Sequence, residues 1–487
     1  MRSHIQGILL PARRPWVRSL VLFVLLLLSI ALYVRLIVAA PQRDDLITPF
    51  LQVWMICFLP YFGACAFILL TKPLMGRWFW IELGLILAGA LIFRVMLLPL
   101  PPGLSRDSWR YLWDARVTLH GYSPYVYAPG DDVFLSLRDF IFTNMRFRNV
   151  PTIYPPGAQL IYVLSYLLAP SNLFVLKGIF VGFDMVTCGA LALLLKRRGF
   201  DPRRTIYYAW CPLPIVEFAI QGHVDVITLT FMILSVLCAA SNRRGARTLT
   251  GFLIGMATLT KIYPIFLLAV VLRRRDWALL VTCFATIFLG YLPFLILGHG
   301  QVFGFFASYA SEQGTNAGVV QLMMQWISSL LHLESATAVL LEHVVDLAVV
   351  GVVFLIVLVL RLRERISMEM ATLLLIGTAL AISTHVFPWY ATALLPWVAV
   401  LVGPLWVCKC PSGKGLAIVL VWYFTCISLL GYFFNNTQDW HVYYALVYDV
   451  VMVGLGVAAV IGLLHLTKRF FIRNTRENKP QQHLLRR

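Results

Sequence analysis

The stretch WFWIELGLILAGALIFRVMLL, from Trp78 to Leu98, is apolar and is followed closely by SRDSWRYLWDARVTLHGYSPY, from Ser105 to Tyr125. About 20 consecutive apolar residues cross the ~30 Å hydrocarbon core of a bilayer as one helix. The second stretch instead combines aspartates, arginines and aromatic residues. A carboxylate there can abstract a proton, and an arginine can hold an anion such as phosphate. The two stretches together predict a membrane helix that leads into a reactive surface loop.

The composition extends this membrane pattern to the whole chain. Of the 487 residues, 60% are hydrophobic and 13% are charged, whereas soluble proteins carry about 25% charged residues. A transmembrane β-barrel is excluded, because its strands alternate in polarity and are only about 10 residues long. We therefore predict an all-α fold, a polytopic bundle of about 12–14 transmembrane helices. Its extracytosolic loops are expected to carry short interfacial helices.

The net charge of +18 comes from short basic clusters between the apolar runs. In a soluble protein this balance would suggest nucleic-acid binding, but no folded basic domain is left over here. Basic loops are instead typical of the cytosolic side of membrane proteins. This rule places both termini in the cytosol and residues 99–156 outside it. We expect a multi-pass protein of the cell membrane that contacts membrane lipids and no nucleic acid.

Residues 1–468 are predicted to form one polytopic membrane domain, and residues 469–487 a basic cytosolic tail. The N-terminal apolar run, Leu20–Ala40, is longer than the apolar part of a signal peptide, so we expect a retained first helix. Residues 247–272 are interrupted by polar residues and are expected to form two short helices or a re-entrant hairpin. The predicted spans are 18–40, 50–71, 78–98, 172–195, 205–220, 224–240, 276–297, 337–360, 368–386, 390–407, 415–434 and 444–466.

A helix is predicted to begin near Ser105, inside the first long outer loop, residues 99–156. Serine is a favourable residue at the position that caps a helix N-terminus. Asp107, Arg110 and Asp114 then share one face of the helix, because they are three and four residues apart. Two carboxylates and a guanidinium would therefore lie side by side at the membrane surface.

Aromatic residues surround this helix. Trp109 and Trp113 share an adjacent face and are expected to point toward the membrane interface. Two turns rich in tyrosine, proline and glycine follow at residues 121–125 and 154–157. Tyrosine and tryptophan stack on sugar rings while their polar ends hydrogen-bond hydroxyl groups. An aromatic belt that anchors helices explains any single residue, whereas the cluster around Asp107 favours a sugar site.

Seven short motifs follow one another along the chain. They are Asp107 after the third apolar helix, Y-x-W-D-A-R at 111–116, G-Y-S-P-Y at 121–125, Y-P-P-G at 154–157, G-H-V-D at 222–225, L-T-K-I-Y-P at 259–264 and F-P-W-Y at 387–390. With this set the chain resembles integral-membrane glycosyltransferases of the GT-C superfamily. The resemblance covers about residues 78–400, and it is closest to polyprenyl-phosphate-mannose-dependent mannosyltransferases and the related GPI mannosyltransferase I type.

The resemblance implies transfer of a hexose, mannose above all, from a polyprenyl-phosphate-linked donor. The acceptor would be a glycan, lipid or protein on the extracytosolic face, and the transfer would invert the sugar. The family's catalytic base is an acid in the first large outer loop, a position that Asp107 matches. The second acid that often accompanies it is absent, because Ser105 and Ser108 stand there. Asp114 and Asp225 are left as second carboxylates, no cofactor is certain, and a divalent metal ion stays an open alternative.

The reaction itself requires a base for the acceptor hydroxyl and positive charge for the departing phosphate. We predict Asp107 and Asp114 as the catalytic residues. The positive charge would come from one of four residues: Arg106, Arg110, Arg116 and Lys261. Lys261 interrupts an apolar segment, so it is either functional or extended toward a nearby interface. The predicted substrate-binding residues are Arg106, Arg110, Tyr111, Tyr125, Tyr154, His223, Asp225, Lys261, His385 and Trp389.

Other polar residues have ordinary explanations. Single histidines are more often structural than metal ligands, and their spacing does not show that they converge. A C-x-C pair without a partner pair is a weak metal signal. Acidic residues within apolar helices are expected to make polar contacts between helices. The residues concerned are the predicted outer histidines His223, His385 and His441, the pair Cys408 and Cys410, and the acids Asp184, Glu217 and Asp346.

Two further function classes are alternatives to a glycosyltransferase. A transporter or flippase of a lipid-linked or polar substrate would place ionisable residues near the bilayer midplane, often in symmetric broken helices. This chain concentrates them in an outer loop, and no inverted repeat is evident. A non-catalytic assembly factor would need no clustered carboxylates. The glycosyltransferase therefore ranks first and the transporter second.

Overall fold

A computed structural model describes residues 15–40, 47–311, 317–403, 412–437 and 439–477, and these form helices and loops with no strand among them. The α-helices are α1 Pro15–Val38, α2 Ile47–Ile56, α3 Phe58–Leu70, α4 Arg77–Leu97, α5 Asp107–Leu119, α6 Phe140–Asn144, α7 Pro156–Leu168, α8 Leu173–Arg197, α9 Ile206–Ala209, α10 Pro212–Ala219, α11 Asp225–Ala239, α12 Ala246–Thr258, α13 Leu267–Val271, α14 Trp277–Leu297, α15 Phe306–Ser311, α16 Val319–Leu330, α17 Ser335–Leu362, α18 Met368–Ala381, α19 Pro388–Ala391, α20 Leu395–Leu401, α21 Gly413–Ile427, α22 Leu430–Thr437, α23 Trp440–Tyr444 and α24 Val450–Glu477. The predicted all-α class is confirmed. Cys408, Cys410 and residues 478–487 of the predicted tail lie outside the described residues.

Seven helical segments among the described residues are long and apolar enough to cross a membrane: Pro15–Val38, Ile47–Leu70, Arg77–Leu97, Leu173–Arg197, Trp277–Leu297, Ala336–Leu362 and Trp440–His465. The other predicted spans correspond to shorter helices, among them α11, α18 and α21. Prolines begin several of these, including α10 and α19. Proline has no N–H to continue a preceding helix but is favourable in a first turn. The chain is thus a polytopic membrane bundle in which several predicted spans are short or broken.

The segment predicted as two short helices or a hairpin, residues 247–272, is a broken helix. It consists of α12, a 3-10 turn at Tyr263–Phe266, and α13. Helix α12 packs between α11 and α14, so closely that a side chain at Gly251 would collide with the carbonyl oxygen of Leu279. At the break, the Leu259 carbonyl accepts a hydrogen bond of 2.8 Å from the backbone N–H of Gly157, at the start of α7. This contact joins the L-T-K-I-Y-P and Y-P-P-G motifs.

A buried ion pair fixes α4 against α8. Arg94 Nε donates to Asp184 Oδ2 at 2.6 Å, and both side chains are fully buried. The hydroxyl of Tyr208 donates to the other oxygen of Asp184 at 2.5 Å. Removing one partner of a buried pair leaves an uncompensated charge and costs about 3–5 kcal/mol. Asp184 therefore makes the polar contact between helices that its place in an apolar helix predicts.

Helix α5 is covered by the loop that follows it. Trp113 is buried against the ring of Phe142, with centroids 5.4 Å apart, and Trp109 contacts Phe140 at the same centroid distance. Trp113 therefore does not point outward as predicted, because aromatic residues of the loop cover it, whereas Trp109 is only half-buried. Arg116 anchors the loop by donating to Asp139 at 2.8 Å. The opposite side of α5 packs on α7.

Candidate active site

Asp107 is the first residue of α5, where the outer loop turns into the helix. Its backbone N–H donates to the Ser105 hydroxyl at 3.3 Å. The residue that caps the helix is Arg106, one position later than predicted, and its side chain makes no capping bond. The carboxylate of Asp107 is 19% exposed and lines a cavity. The start of α5 thus presents a carboxylate to a space that a substrate can enter.

The turn of residues 221–225 holds the loop before Asp107 in place. Gln221 Oε1 accepts hydrogen bonds from the backbone N–H groups of Leu104, at 3.0 Å, and Ser105, at 3.2 Å. Gly222 has a φ of 70°, and a Cβ atom there would lie 2.9 Å from Cγ of Lys177. Only glycine takes this backbone conformation readily. The turn can therefore pack tightly against the start of α5.

His223 lies behind Asp107, with Nδ1 3.9 Å from Asp107 Oδ2. Its other ring nitrogen, Nε2, is 3.3 Å from Oε2 of Glu217. The ring stacks on the indole of Trp389, with centroids 3.8 Å apart and planes 13° apart. Burial holds the pKa of His223 well below its usual value. His223 is therefore a neutral, oriented imidazole at neutral pH.

Lys261 projects from the break between α12 and α13. Its ammonium nitrogen is 3.2 Å from Asp225 Oδ1, and its side chain is 18% exposed. The same nitrogen lies 4.4 Å from the ring centroid of Tyr390. The hydroxyl of Tyr390 is in turn 3.2 Å from that of Tyr309. The broken helix thus places the Lys261 ammonium group where Asp225 and the Tyr390 ring orient it and where a ligand can still reach it.

Two neighbouring cavities meet at Lys261. The first, which we name the aspartate cavity, has a volume of about 230 Å³ and is lined by Asp107, Arg106, Tyr154 and Trp389 among others. The second, which we name the apolar cavity, has a volume of about 420 Å³. The side chains that line the second cavity are mainly apolar or aromatic and include Phe266, Phe306, Ile376 and Leu380. Lys261, Tyr154, Tyr309 and Tyr390 line both.

The surroundings of Asp107 suit it to proton transfer. Burial raises the pKa of Asp107 to about 6. The charge of Lys261, the Ser105 hydroxyl and Arg146 lower this pKa, and the negative charge of Asp225 raises it. A general base works best when its pKa lies near the operating pH. Asp107 is therefore ionised at neutral pH and more basic than an ordinary aspartate.

Two predicted residues of α5, Arg110 and Asp114, form an ion pair with each other. Arg110 Nε donates to Asp114 Oδ1 at 2.7 Å, and its two terminal nitrogens donate to the carbonyls of Phe147 and Val150. Asp114 is buried and also accepts from Gln159 at 3.2 Å. The predicted shared face is confirmed, and the pair holds the loop, while Arg110 also lines the aspartate cavity. Asp114 lines neither cavity, so the geometry provides no second catalytic carboxylate there.

Of the three predicted tyrosines, one lines the cavities and the other two pack against it. Tyr154 lines both cavities. Tyr111 is buried and stacks on Tyr162 with centroids 4.4 Å apart, and the Tyr125 hydroxyl donates to the Tyr154 carbonyl at 2.7 Å. Neither Tyr111 nor Tyr125 lines a cavity, because both pack beneath Tyr154. Arg116, bound to Asp139, is likewise turned away from both cavities.

The remaining predicted residues surround the two cavities. Trp389 and Arg106 line the aspartate cavity, and Asp225 lines the apolar cavity. His385 lies beside Phe387, a residue of the aspartate cavity, with ring centroids 5.7 Å apart. His223 is fully buried and lines neither cavity, so its position does not show the contact with a ligand that was predicted. In the part of the chain that the structure describes, no three His, Cys, Asp or Glu side chains form a group able to hold a metal ion.

The sequence interpretation missed four residues of the site. Gln221 and Arg146 were not selected, although Gln221 directly precedes the G-H-V-D turn. Glu217 was expected to make only a contact between helices, yet its carboxylate contacts both His223 and the Tyr432 hydroxyl, the latter at 3.2 Å. An acid in an apolar segment close to that turn was the available signal. Tyr432 is 215 positions away from Glu217, and no local pattern marks it.

A comparison with protein families gives one match. The family model of glycosyltransferase family 87, a GT-C-type membrane family, matches residues 152–388. This region is just under half of the chain and contains the 221–225 turn and Lys261, while Asp107 precedes it. No curated protein matches the chain. The family match agrees with the resemblance carried by the sequence motifs: over residues 152–388 the chain is similar to membrane glycosyltransferases of the GT-C type.

Proposed function

We propose that the protein transfers a hexose, with mannose as the first candidate, from a polyprenyl-phosphate donor. The acceptor is a hydroxyl group of a glycan, lipid or protein on the extracytosolic face. One observation carries the proposal: a carboxylate cavity and an apolar cavity meet at an accessible cation, Lys261. A donor with an isoprenoid tail, a phosphate and a sugar needs these three environments in this order.

The apolar cavity suits the first isoprene units of the donor. Phe266, Ile376 and Leu380 give it an apolar lining, and burying hydrocarbon stabilises binding by about 25 cal/mol per Å² of apolar surface. The donor phosphate then reaches Lys261, whose ammonium group is held by Asp225. An ammonium group beside the phosphate favours the negative charge that develops as the sugar leaves.

The sugar is placed in the aspartate cavity, between Lys261 and Asp107. Trp389 and Tyr154 line this space and can stack on the apolar faces of a pyranose ring. The acceptor hydroxyl approaches from the Asp107 side. Asp107 takes the hydroxyl proton as the oxygen attacks the anomeric carbon, and the bond from that carbon to the phosphate oxygen breaks. The electron pair leaves with the polyprenyl phosphate, and this single displacement inverts the anomeric configuration.

The donor is the decisive test of this proposal. The purified protein in liposomes is given radiolabelled polyprenyl-phosphate mannose, polyprenyl-phosphate glucose or the corresponding nucleotide sugars. We expect sugar to move from a polyprenyl-phosphate donor to lipid or glycan acceptors, with inverted configuration in the product by NMR. Transfer from nucleotide sugars alone, or retained configuration, would contradict the proposal. Movement of intact donor across the bilayer without bond cleavage would favour a flippase instead.

A further inference from the structure

Three side chains lie in sequence beside Asp107: the first two are fully buried and line neither cavity, and the third, Tyr432, lines the aspartate cavity. They are His223, 3.9 Å from the Asp107 carboxylate, then Glu217, 3.3 Å from His223, and then Tyr432, 3.2 Å from Glu217. We propose that His223 and Glu217 are positioning residues that orient the Asp107 carboxylate toward the acceptor hydroxyl. This inference rests on the function proposed above. The reaction would need both residues although neither touches the substrate.

His223 is placed to orient its neighbour and not to bind a ligand. Its side chain is fully buried and lines neither cavity. The stack on Trp389 at 3.8 Å fixes the plane of the imidazole. A ring held in one plane keeps one nitrogen directed at Asp107 and the other at Glu217. This arrangement restricts where hydrogen bonds can form, which a ring free to rotate would not do.

The direction of the hydrogen bonds follows from the burial of Glu217. Glu217 is fully buried, and no lysine or arginine of the described residues forms an ion pair with it. An isolated buried carboxylate is costly and takes up a proton instead. Protonated Glu217 accepts from the Tyr432 hydroxyl and donates to Nε2 of His223. The neutral imidazole then carries its proton on Nδ1, which faces Asp107.

This order gives Asp107 a donor on its buried side. An Nδ1–H group aimed at one carboxylate oxygen leaves the other oxygen free for the acceptor hydroxyl. The present distance of 3.9 Å is longer than a hydrogen bond, as is common before substrate binds, and such contacts shorten in the reacting complex. The proton from the acceptor stays on Asp107, and His223 remains neutral throughout. The two residues thus position the base and take no part in the proton transfer.

The test uses the full-length protein in liposomes with a polyprenyl-phosphate mannose donor. His223→Phe keeps an aromatic ring against Trp389 and removes both nitrogens. We expect kcat to fall by about 10- to 100-fold while KM for the donor stays within about twofold. The matched control is His441→Phe, which changes an exposed histidine and should leave both constants unchanged.

A second pair of variants tests the direction of the hydrogen bonds. Glu217→Gln keeps an N–H donor toward His223, so it should retain kcat within about threefold, whereas Glu217→Leu should lose as much activity as His223→Phe. The same pair decides the question if His223→Phe does not fold. Wild-type kcat in Glu217→Leu, or equal losses in Glu217→Leu and Glu217→Gln, would overturn the inference. An inactive Asp107→Asn in that same assay would show that the proposed function survives such a result.

Discussion

Lys261 Nζ lies 3.2 Å from Asp225 Oδ1, and this ion pair sits where the aspartate cavity and the apolar cavity meet. Lys261 comes from the break between α12 and α13, and Asp225 from the first turn of α11. The packing of α12 against α11 therefore sets the position of the cation. A pair that is partly open can stabilise an incoming phosphate without first being broken.

Replacing Lys261 by alanine should weaken use of the donor more than use of the acceptor. Losing a hydrogen bond to a charged group costs about 1.5–3 kcal/mol, which corresponds to a 10- to 100-fold loss in kcat/KM for the donor. Steady-state kinetics with each substrate varied in turn measures the two effects separately. Lys72→Ala, at an exposed position, is the control. An unchanged apparent affinity for the donor would count against Lys261 as the phosphate ligand.

The rate of transfer should depend on pH through Asp107. Its pKa is raised to about 6, and only the ionised carboxylate can accept the acceptor's proton. We therefore expect kcat/KM to be constant above about pH 7 and to fall about tenfold per pH unit well below 6. The groups that face Asp107 are Lys261, Asp225, Arg146, Ser105 and His223.

Changing Arg146, a charged residue that faces Asp107, provides a control for this pH profile. Arg146 lowers the pKa of Asp107, so Arg146→Gln should move the acid limb to higher pH, since the carboxylate loses a stabilising cation. A profile that stays flat from about pH 4.5 to about pH 8 would exclude a carboxylate base with a pKa of about 6. A shift of the acid limb to lower pH in Arg146→Gln would contradict the electrostatic account.

Gln221 should matter for stability as well as for activity. Its Oε1 atom accepts two backbone hydrogen bonds, from Leu104 and Ser105. Gln221→Ala leaves these donors unsatisfied, at a cost of about 1–3 kcal/mol in the free energy of unfolding. Thermal unfolding in detergent should show a lower midpoint, and kcat should fall because the loop before Asp107 loses its anchor. Gln221→Glu keeps an acceptor oxygen and should recover most of the stability. An unaltered unfolding midpoint in Gln221→Ala would show that the two hydrogen bonds to the backbone do not stabilise the protein.

Much of the candidate site follows from polar residues in unexpected places. Asp107 begins a charged loop after an apolar helix, and Lys261 interrupts an apolar segment, so both could be selected from the sequence. A charged residue within an apolar stretch is costly, so it usually serves a functional site or pairs with another charge. The turn of residues 221–225 stood out for the same reason. These three features are the ones that the structure brings to the two cavities.

The rest could not be predicted, because it depends on which partner each side chain finds. Helical spacing placed Arg110 and Asp114 on one face, but it could not show that they would pair with each other or that Asp114 would lie outside both cavities. Tyr111 was selected for its ring, whereas its packing on Tyr162 is set by the contact between α5 and α7. Glu217 and Tyr432 are in contact although 215 positions separate them in the sequence. Helical periodicity relates only residues that are close in the sequence, so it could not predict this contact.

The identity of the base is the central claim, and Asp107→Asn tests it most directly. This change keeps the size of the side chain and removes its ability to take a proton. With a polyprenyl-phosphate mannose donor in liposomes, we expect at least a 100-fold loss of kcat, on the order of what general bases contribute, at an unchanged thermal midpoint. Asp132→Asn, at an exposed aspartate of the same loop, should retain full activity. Wild-type turnover by Asp107→Asn would contradict the account.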